Sequence, residues 1–268
     1  MEILIFFVAH WYLSLWTQTF FDHRYAAHQM FTMSKGWERF FQVISWVFQG
    51  SSYVSAYAYA ILHRYHHAYA DTEKDPHSPK YDSNPFKMMW RTKELYSDIF
   101  YGRVEVEDKW KQDLPEWVSF EKFADSWPIR ILWGLFYIWF YVEFAEFWWM
   151  YLLLPIHFIM GPFHGAIINW MAHKYGYVNF KVGDTSKNII PVDIFMLGEG
   201  YHNNHHKFGG RPNFGVKWHE IDPVYITIKV LSAFNIIKLK SQPVKIEPDA
   251  QPAKTKPLTR PVEVEQEA

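Results

Sequence analysis

The sequence predicts an all-α integral membrane protein, with about three transmembrane helices, further helices lying in the interface, and a helical cap on the cytoplasmic side. Three observations carry this expectation. Charge-free apolar stretches cover 3–21, 40–62, 131–142 and 147–173, and a helix needs roughly 20 such residues to cross hydrocarbon. Aromatic residues make up 20% of the chain, including 14 tryptophans, a composition suited to membrane–water interfaces. Between about 80 and 125 the chain gathers Lys87, Arg91, Lys93, Arg103, Lys109 and Lys111, as cytoplasmic segments do. The mean hydropathy of -0.21 averages these spans with polar loops and a polar tail.

Composition also excludes. Formal net charge is -1, so no basic field points to a nucleic acid partner. There are no cysteines, which removes disulfides, thiolate ligands and iron–sulfur clusters and leaves nitrogen and oxygen donors for any metal. Histidine, at 14, is the over-represented ionisable residue.

In chain order, 3–21 reads as the first span. It lacks the basic start and small-residue cleavage site of a signal peptide, and His10, Trp11, Tyr12 and Trp16 make it less apolar than an ideal span. Asp22, His23 and His28 follow. On an ideal helix the i, i+5 spacing sets the two rings ~140° apart, which predicts that they flank a site or reach two different metals. The stretch 40–62 has spanning length but contains Gln42, Ser45, Gln49 and a Gly50-Ser51-Ser52 break. Were it to cross, the histidines on either side of it would lie ~30 Å apart. It is therefore expected as a helix or broken helix in the interface or on the cytoplasmic face. From 71 to about 125 a polar helical insert is expected. Spans over 128–144 and 147–173 form a hairpin, with Glu143 and Glu146 at its outer turn and breaks at Pro155 and Gly161-Pro162. A polar connection over 174–195 leads to an amphipathic helix over 221–237. The charged tail, 241–268, carries Pro243, Pro248, Pro252, Pro257 and Pro261 and is expected to be disordered, leaving 1–240 as one membrane domain.

The chemistry concentrates in His63-Arg64-Tyr65-His66-His67 and its copy His202-Asn203-Asn204-His205-His206. Rings at i, i+3 and i+4 share one helix face, and imidazole is the commonest metal-binding side chain. His173 stands four residues after Asn169. There is no His-Glu-x-x-His of the zinc proteases and no Glu-x-x-His repeat of the soluble di-iron bundles. His23, His28, His63, His66, His67, His173, His202, His205 and His206 exceed what one four-coordinate zinc can bind, which suggests two metals near octahedral coordination with open positions. Asp22, Asp71, Asp75 and Glu199 are placed to orient the rings. Isolated histidines on apolar stretches, His10, His157, His164 and His219, are assigned to packing.

These boxes resemble those of the membrane fatty acid desaturases, specifically the stearoyl-CoA desaturase-like acyl desaturases. The likeness extends to Asp75-Pro76-His77, to Asn169 and His173 with Gly176-Tyr177, and to Gly198-Glu199-Gly200-Tyr201-His202-Asn203, and covers about 1–237. The resemblance implies two iron ions held by the nine histidines, with Asn169 reaching one through a water and Asp22, Asp71, Asp75, His77 and Glu199 around them. It implies O2 as co-substrate and insertion of a cis double bond, at the delta-9 position of an acyl-CoA or another fatty acyl thioester or lipid. It places the site on the cytoplasmic side of a membrane. Without a fused haem domain, electrons would come from a separate external donor, a ferredoxin-like protein or small cytochrome. A bent tunnel for the acyl chain is expected, with Trp46, Tyr53, Tyr57, Gly165 and Trp170 as its lining. The chain departs from the family in having room for one span before the first box and no basic residue over 59–62. Two rival readings are a lipid hydroxylase or ketolase using the same centre, and a non-catalytic metal-binding or metal-transport membrane protein. The gathering of histidines on one side argues against transport, which needs ionisable groups along a path across the bilayer.

Overall fold

The computed structural model describes residues 1–240; the expected disordered tail lies outside the described residues. The fold is helical. Helix α1, Glu2–Thr17, runs without a break into a π-helical segment, Gln18–Ala27. Helix α2, Lys35–Gln49, is capped by Ser34, whose hydroxyl accepts from the Trp37 amide. It stops at Gly50, where φ of +56° ends the helix, and a single 3-10 turn, Gly50–Ser52, precedes α3, Ala56–Tyr69, with Ser55 as its cap. The stretch 40–62 is therefore a broken helix, as expected. Arg130 clamps the break by donating to the carbonyls of Ser51, at 2.6 Å, and Tyr53, at 2.8 Å.

The polar insert folds as α4, Pro85–Phe100, and α5, Val118–Asp125. Helix α6, Trp127–Phe144, follows. The next apolar run is not one continuous helix. A 3-10 segment, Trp148–Leu153, and α7, Leu154–Phe158, meet α8, Met160–Ala166, and a π-helical turn, Ile167–Met171, at a bend of 77°. Pro162 sits in the first turn of α8, where its missing N–H is tolerated and the preceding helix cannot continue through it. By length and apolarity, Glu2–Ala27 qualifies as a membrane span among the described residues, and the bent pair as a second; α6 is shorter and more aromatic. The last elements are α9, His202–Lys207, and α10, Pro223–Ala233, the latter capped by Asp222, whose carboxylate accepts from the Tyr225 amide.

One feature departs from an all-helical reading. Strands β1, Phe31–Met33, and β2, Ile237–Leu239, pair antiparallel with Thr32 opposite Lys238, which ties the end of the described chain to the segment after the first histidines. The main core packs Phe20, Phe21, Ala58, Ile61 and Tyr65 with Val224 and Ile228. It seats α3 on the π-helical segment, so the first and second histidine boxes face each other from one side of the molecule.

Candidate metal centre

Nine histidine rings converge in two adjoining groups. His23, His28, His63, His67 and His205 have ring nitrogens within 4.8 Å of one another, and so do His66, His173, His202 and His206. The groups touch through His66 and His67, neighbours on α3, and through the His67 and His206 rings, whose centroids are 4.6 Å apart. These are the nine histidines named from the sequence. His67 and His206 are partly exposed; the other seven are buried.

The distances carry the interpretation. Nε2 atoms face each other at 3.0 Å for His23 and His205, 2.8 Å for His28 and His63, and 2.9 Å for His205 and His67. In the second group they face at 3.2 Å for His66 and His206 and 3.1 Å for His173 and His202. Nitrogens bound at about 2.1 Å to one metal, at right angles, lie about 3 Å apart. His205 Nε2 meets two other Nε2 atoms at once, which one in-plane lone pair or N–H cannot serve by hydrogen bonding. The donor set therefore fits one metal ion in each group. Burial, and after it the repulsion of neighbouring rings, holds His28, His63, His67, His202, His205 and His206 well below the ordinary imidazole value. The rings are thus neutral, the form that binds metal.

Local structure explains how each box points inward. The i, i+5 pair was expected to diverge. Instead the amide of His28 donates to the carbonyl of His23 at 3.1 Å, an i→i+5 bond of a π-helix, and the wider turn brings the two rings within 5.0 Å, centroid to centroid. Both join one group, so of the two arrangements expected they flank a single site rather than reach two metals. On α3 the rings follow the helical face as expected. Helix α9 is only six residues long and is held by side chains. The Asn203 carbonyl oxygen accepts from the Asn179 and Phe180 amides, and the Asn204 amide donates to Glu220 at 2.8 Å. Asp193 gathers the amides of Gly198 and Gly200 on one oxygen, and a Cβ on either glycine would run into a carboxylate, of Asp222 or Asp193 respectively.

Carboxylates hold the outward Nδ1 atoms of three rings. Glu199 lies 2.8 Å from His23, Asp75 2.9 Å from His66, and Asp184 2.8 Å from His206. Burial opposes the ionisation of Glu199 and Asp75, but His23 with Arg24, and His66 respectively, outweigh it and keep both carboxyls below their ordinary values. Asp71 is farther from His173, at 3.8 Å, where the Thr185 hydroxyl is nearer at 3.2 Å. His77 packs on His66 at 4.3 Å and has both nitrogens buried without a partner. Asp22 does not orient a ring. Its Oδ2 accepts from Gln49 Nε2 at 2.8 Å, because the π-helical turn sends it to the α2 side.

Sequence reasoning missed Asp184 and Arg24. Asp184 has no spacing relation to His206 that marks it. Arg24, fully buried, is bonded to Glu199 at 3.2 Å and Asp222 at 2.8 Å and stacks over Phe214. A charge inside the box at the end of an apolar run was its available signal.

The groups open onto a cavity of about 1240 Å³ whose wall includes His23, His63, His202 and Asn169. Of the residues named for a tunnel, Tyr53 and Gly165 lie on its wall. The other three tunnel residues do not. Trp46 packs against Phe120, Phe123 and Trp133, Tyr57 lies at the edge of the main core, and Trp170 is covered by the Lys174 ammonium at 3.7 Å.

Comparison with known proteins agrees with this geometry. The family model for fatty acid desaturase matches residues 2–230. The chain belongs to the fatty acid desaturase family. Among characterised desaturases it is 33% identical, over 70% of its length, to the delta-9 acyl-lipid desaturase 2 of Arabidopsis thaliana, and 30% identical, over 81%, to the sn-1 stearoyl-lipid 9-desaturase of Synechocystis. It is 28% identical, over 82%, to the acyl-CoA C20 delta5-desaturase of Anemone leveillei. The chain spans 58%, 64% and 68% of the lengths of these three desaturases.

Proposed function

We propose that this desaturase introduces a cis double bond, at the delta-9 position, into a saturated fatty acyl chain carried as an acyl-CoA or a lipid ester. One observation carries the reading: nine imidazoles, gathered in two adjoining groups, stand beside a cavity of about 1240 Å³. His23, His28, His63, His67 and His205 would hold one iron ion and His66, His173, His202 and His206 the other, with Asn169 reaching the second through a water. Two irons held there supply the oxygen activation and one-electron chemistry that an unactivated methylene pair requires and that side chains cannot provide.

The residues of the chain do the rest. Asp75 and Asp184 keep the ring protons on Nδ1 of His66 and His206 and leave Nε2 free to bind inward, and Glu199 stands beside His23. The cavity holds the acyl chain against the ring-lined wall, so that one carbon pair is presented. Residues 1–240 act as one catalytic unit. We further propose that α6 joins Glu2–Ala27 and the bent pair as a third span, supported by Leu132, Leu135, Trp139 and Val142, all exposed on its surface. The centre then lies on the cytoplasmic side, where a separate ferredoxin-like protein or small cytochrome delivers electrons.

The test is expression in a host that makes no unsaturated fatty acids, with iron and reductant supplied, beside His66→Ala. The wild type is expected to yield acyl chains two hydrogen masses lighter, with two irons per chain, and the variant neither. Products one oxygen heavier, or no new product, would overturn the reading.

A further inference from the structure

The wall of the large cavity is sealed on some sides and open on one. Where α1, α3 and the segment before the third histidine box build it, its apolar side chains are covered: Leu15, Leu62 and Met196 are at most 5% exposed. Along α6 and the α7–α8 bend the same wall is uncovered. Ile131, Leu135, Ile138 and Ile159 all line the cavity, yet each is 43% to 56% exposed. Ile131, Leu135 and Ile138 stand at i, i+4 and i+7, one stripe of the helix. The opening is therefore a slot along α6. From Trp127 to Ile138, both on the cavity wall, it runs about 16 Å at 1.5 Å per residue.

The slot changes character along its length. At the near end the cavity bears Lys93, Asp98, Arg103 and Arg130, and Trp127 there is exposed, as aromatic residues are at the headgroup level. Beyond Arg130 the rim, Ile131, Leu135, Ile138, Ile159 and Pro162, carries no charge. With α6 read as a span, the charged end lies among headgroups and the rest opens sideways into hydrocarbon. This shape selects its occupant. A single-chain thioester can thread a closed tunnel from its mouth. A lipid with two chains cannot, because one chain reaches the metal groups only if the other stays outside and the wall is open lengthwise between them.

We propose that the slot along α6 admits one acyl chain of a membrane diacyl lipid sideways, so that the chain is desaturated while its second chain and headgroup stay in the leaflet. This rests on the acyl reading above and narrows its substrate to the lipid ester. Two measurements on the full chain in vesicles test it. The first needs no turnover. A phosphatidylcholine with a diazirine midway along one stearoyl chain is photolysed in the vesicles, and adducts are expected on Leu62, inside the cavity. Ile131→Trp with Leu135→Trp fills the slot from exposed positions and is expected to cut those adducts about tenfold. Leu132→Trp, exposed on α6 but off the cavity wall, is expected to leave them. No adduct on Leu62, or adducts untouched by filling the slot, overturns the proposal. So does an equal loss for the same diazirine carried on single-chain lysophosphatidylcholine. The second measurement uses the iron-loaded, reduced wild type with isotope-labelled stearoyl chains, offered as distearoyl phosphatidylcholine, distearoyl phosphatidylglycerol or stearoyl-CoA. Desaturation of a diacyl lipid is expected. Desaturation of stearoyl-CoA alone overturns this proposal and leaves the acyl reading standing, whereas desaturation of none of the three overturns both.

Discussion

At the scale of single residues, the centre depends on groups that touch the rings from behind. Asp184 holds His206 Nδ1, and Asp184→Asn is expected to weaken iron binding 10–100-fold, read as iron retained per chain after dialysis against a chelator. Glu121 shows a different dependence. It is buried, accepts from Ser55 at 2.9 Å and Gln42 at 3.1 Å, and burial raises its carboxyl to about 7. The folded state therefore holds this proton more tightly than the unfolded chain. Its contribution is full below the ordinary carboxyl value and is lost as pH rises towards 7. Glu121→Gln should leave Tm unchanged near pH 4 and raise stability near pH 8 by up to about 3 kcal/mol. Six of the nine rings, in 63–67 and 202–206, were legible from spacing, whereas His23, His28 and His173 joined them as a full set only through the family resemblance. Asp184 and Arg24 were not, since a carboxylate or guanidinium that meets its partner through the fold leaves no local pattern. Asp22 misled because adjacency in sequence to His23 says nothing about direction.

At the scale of elements, the break after α2 and the widened turns matter most. The break was legible from Gly50-Ser51-Ser52 and from the need to bring two boxes together. Its exact form required the fold: Gly50 has φ of +56°, and a Cβ there would overlap the Tyr137 hydroxyl. Gly50→Ala should therefore destabilise the protein by at least about 2 kcal/mol, seen as a lower midpoint of thermal unfolding in detergent. The π-helical form of Gln18–Ala27 was not legible. Ideal α geometry separates His23 from His28, and only the i→i+5 bond between those same two residues joins them. Inserting an alanine after Ala26 should set the two histidines six residues apart, off one face of an α- or a π-turn alike, part the two rings, and cost the five-ring group its metal while leaving the four-ring group loaded; one iron per chain instead of two would be the reading.

At the scale of the whole molecule, the sequence marked where the long apolar stretches break, at Gly50-Ser51-Ser52 and around Pro155 and Gly161-Pro162, but not how sharply the chain turns there. The final stretch bends by 77°, and the cavity uses that bend, with Phe158 and Gly165 on its wall. Adding a Cβ to Gly165 would already bring it 3.6 Å from Met89. Gly165→Leu should accordingly cut turnover of an eighteen-carbon chain more than tenfold with iron content unchanged, measured by product analysis and metal assay on one preparation. The two ring groups draw on 23–28, 63–67, 173 and 202–206, four stretches that lie far apart along the chain. Neither group of rings is complete on a ribosome-bound chain until residue 206 has emerged, so under the proposed di-iron, membrane-spanning reading iron delivery is expected at a late step of biogenesis, after the helices are seated in lipid. Cells starved of iron should then accumulate an inserted, empty protein that can be charged afterwards without new synthesis.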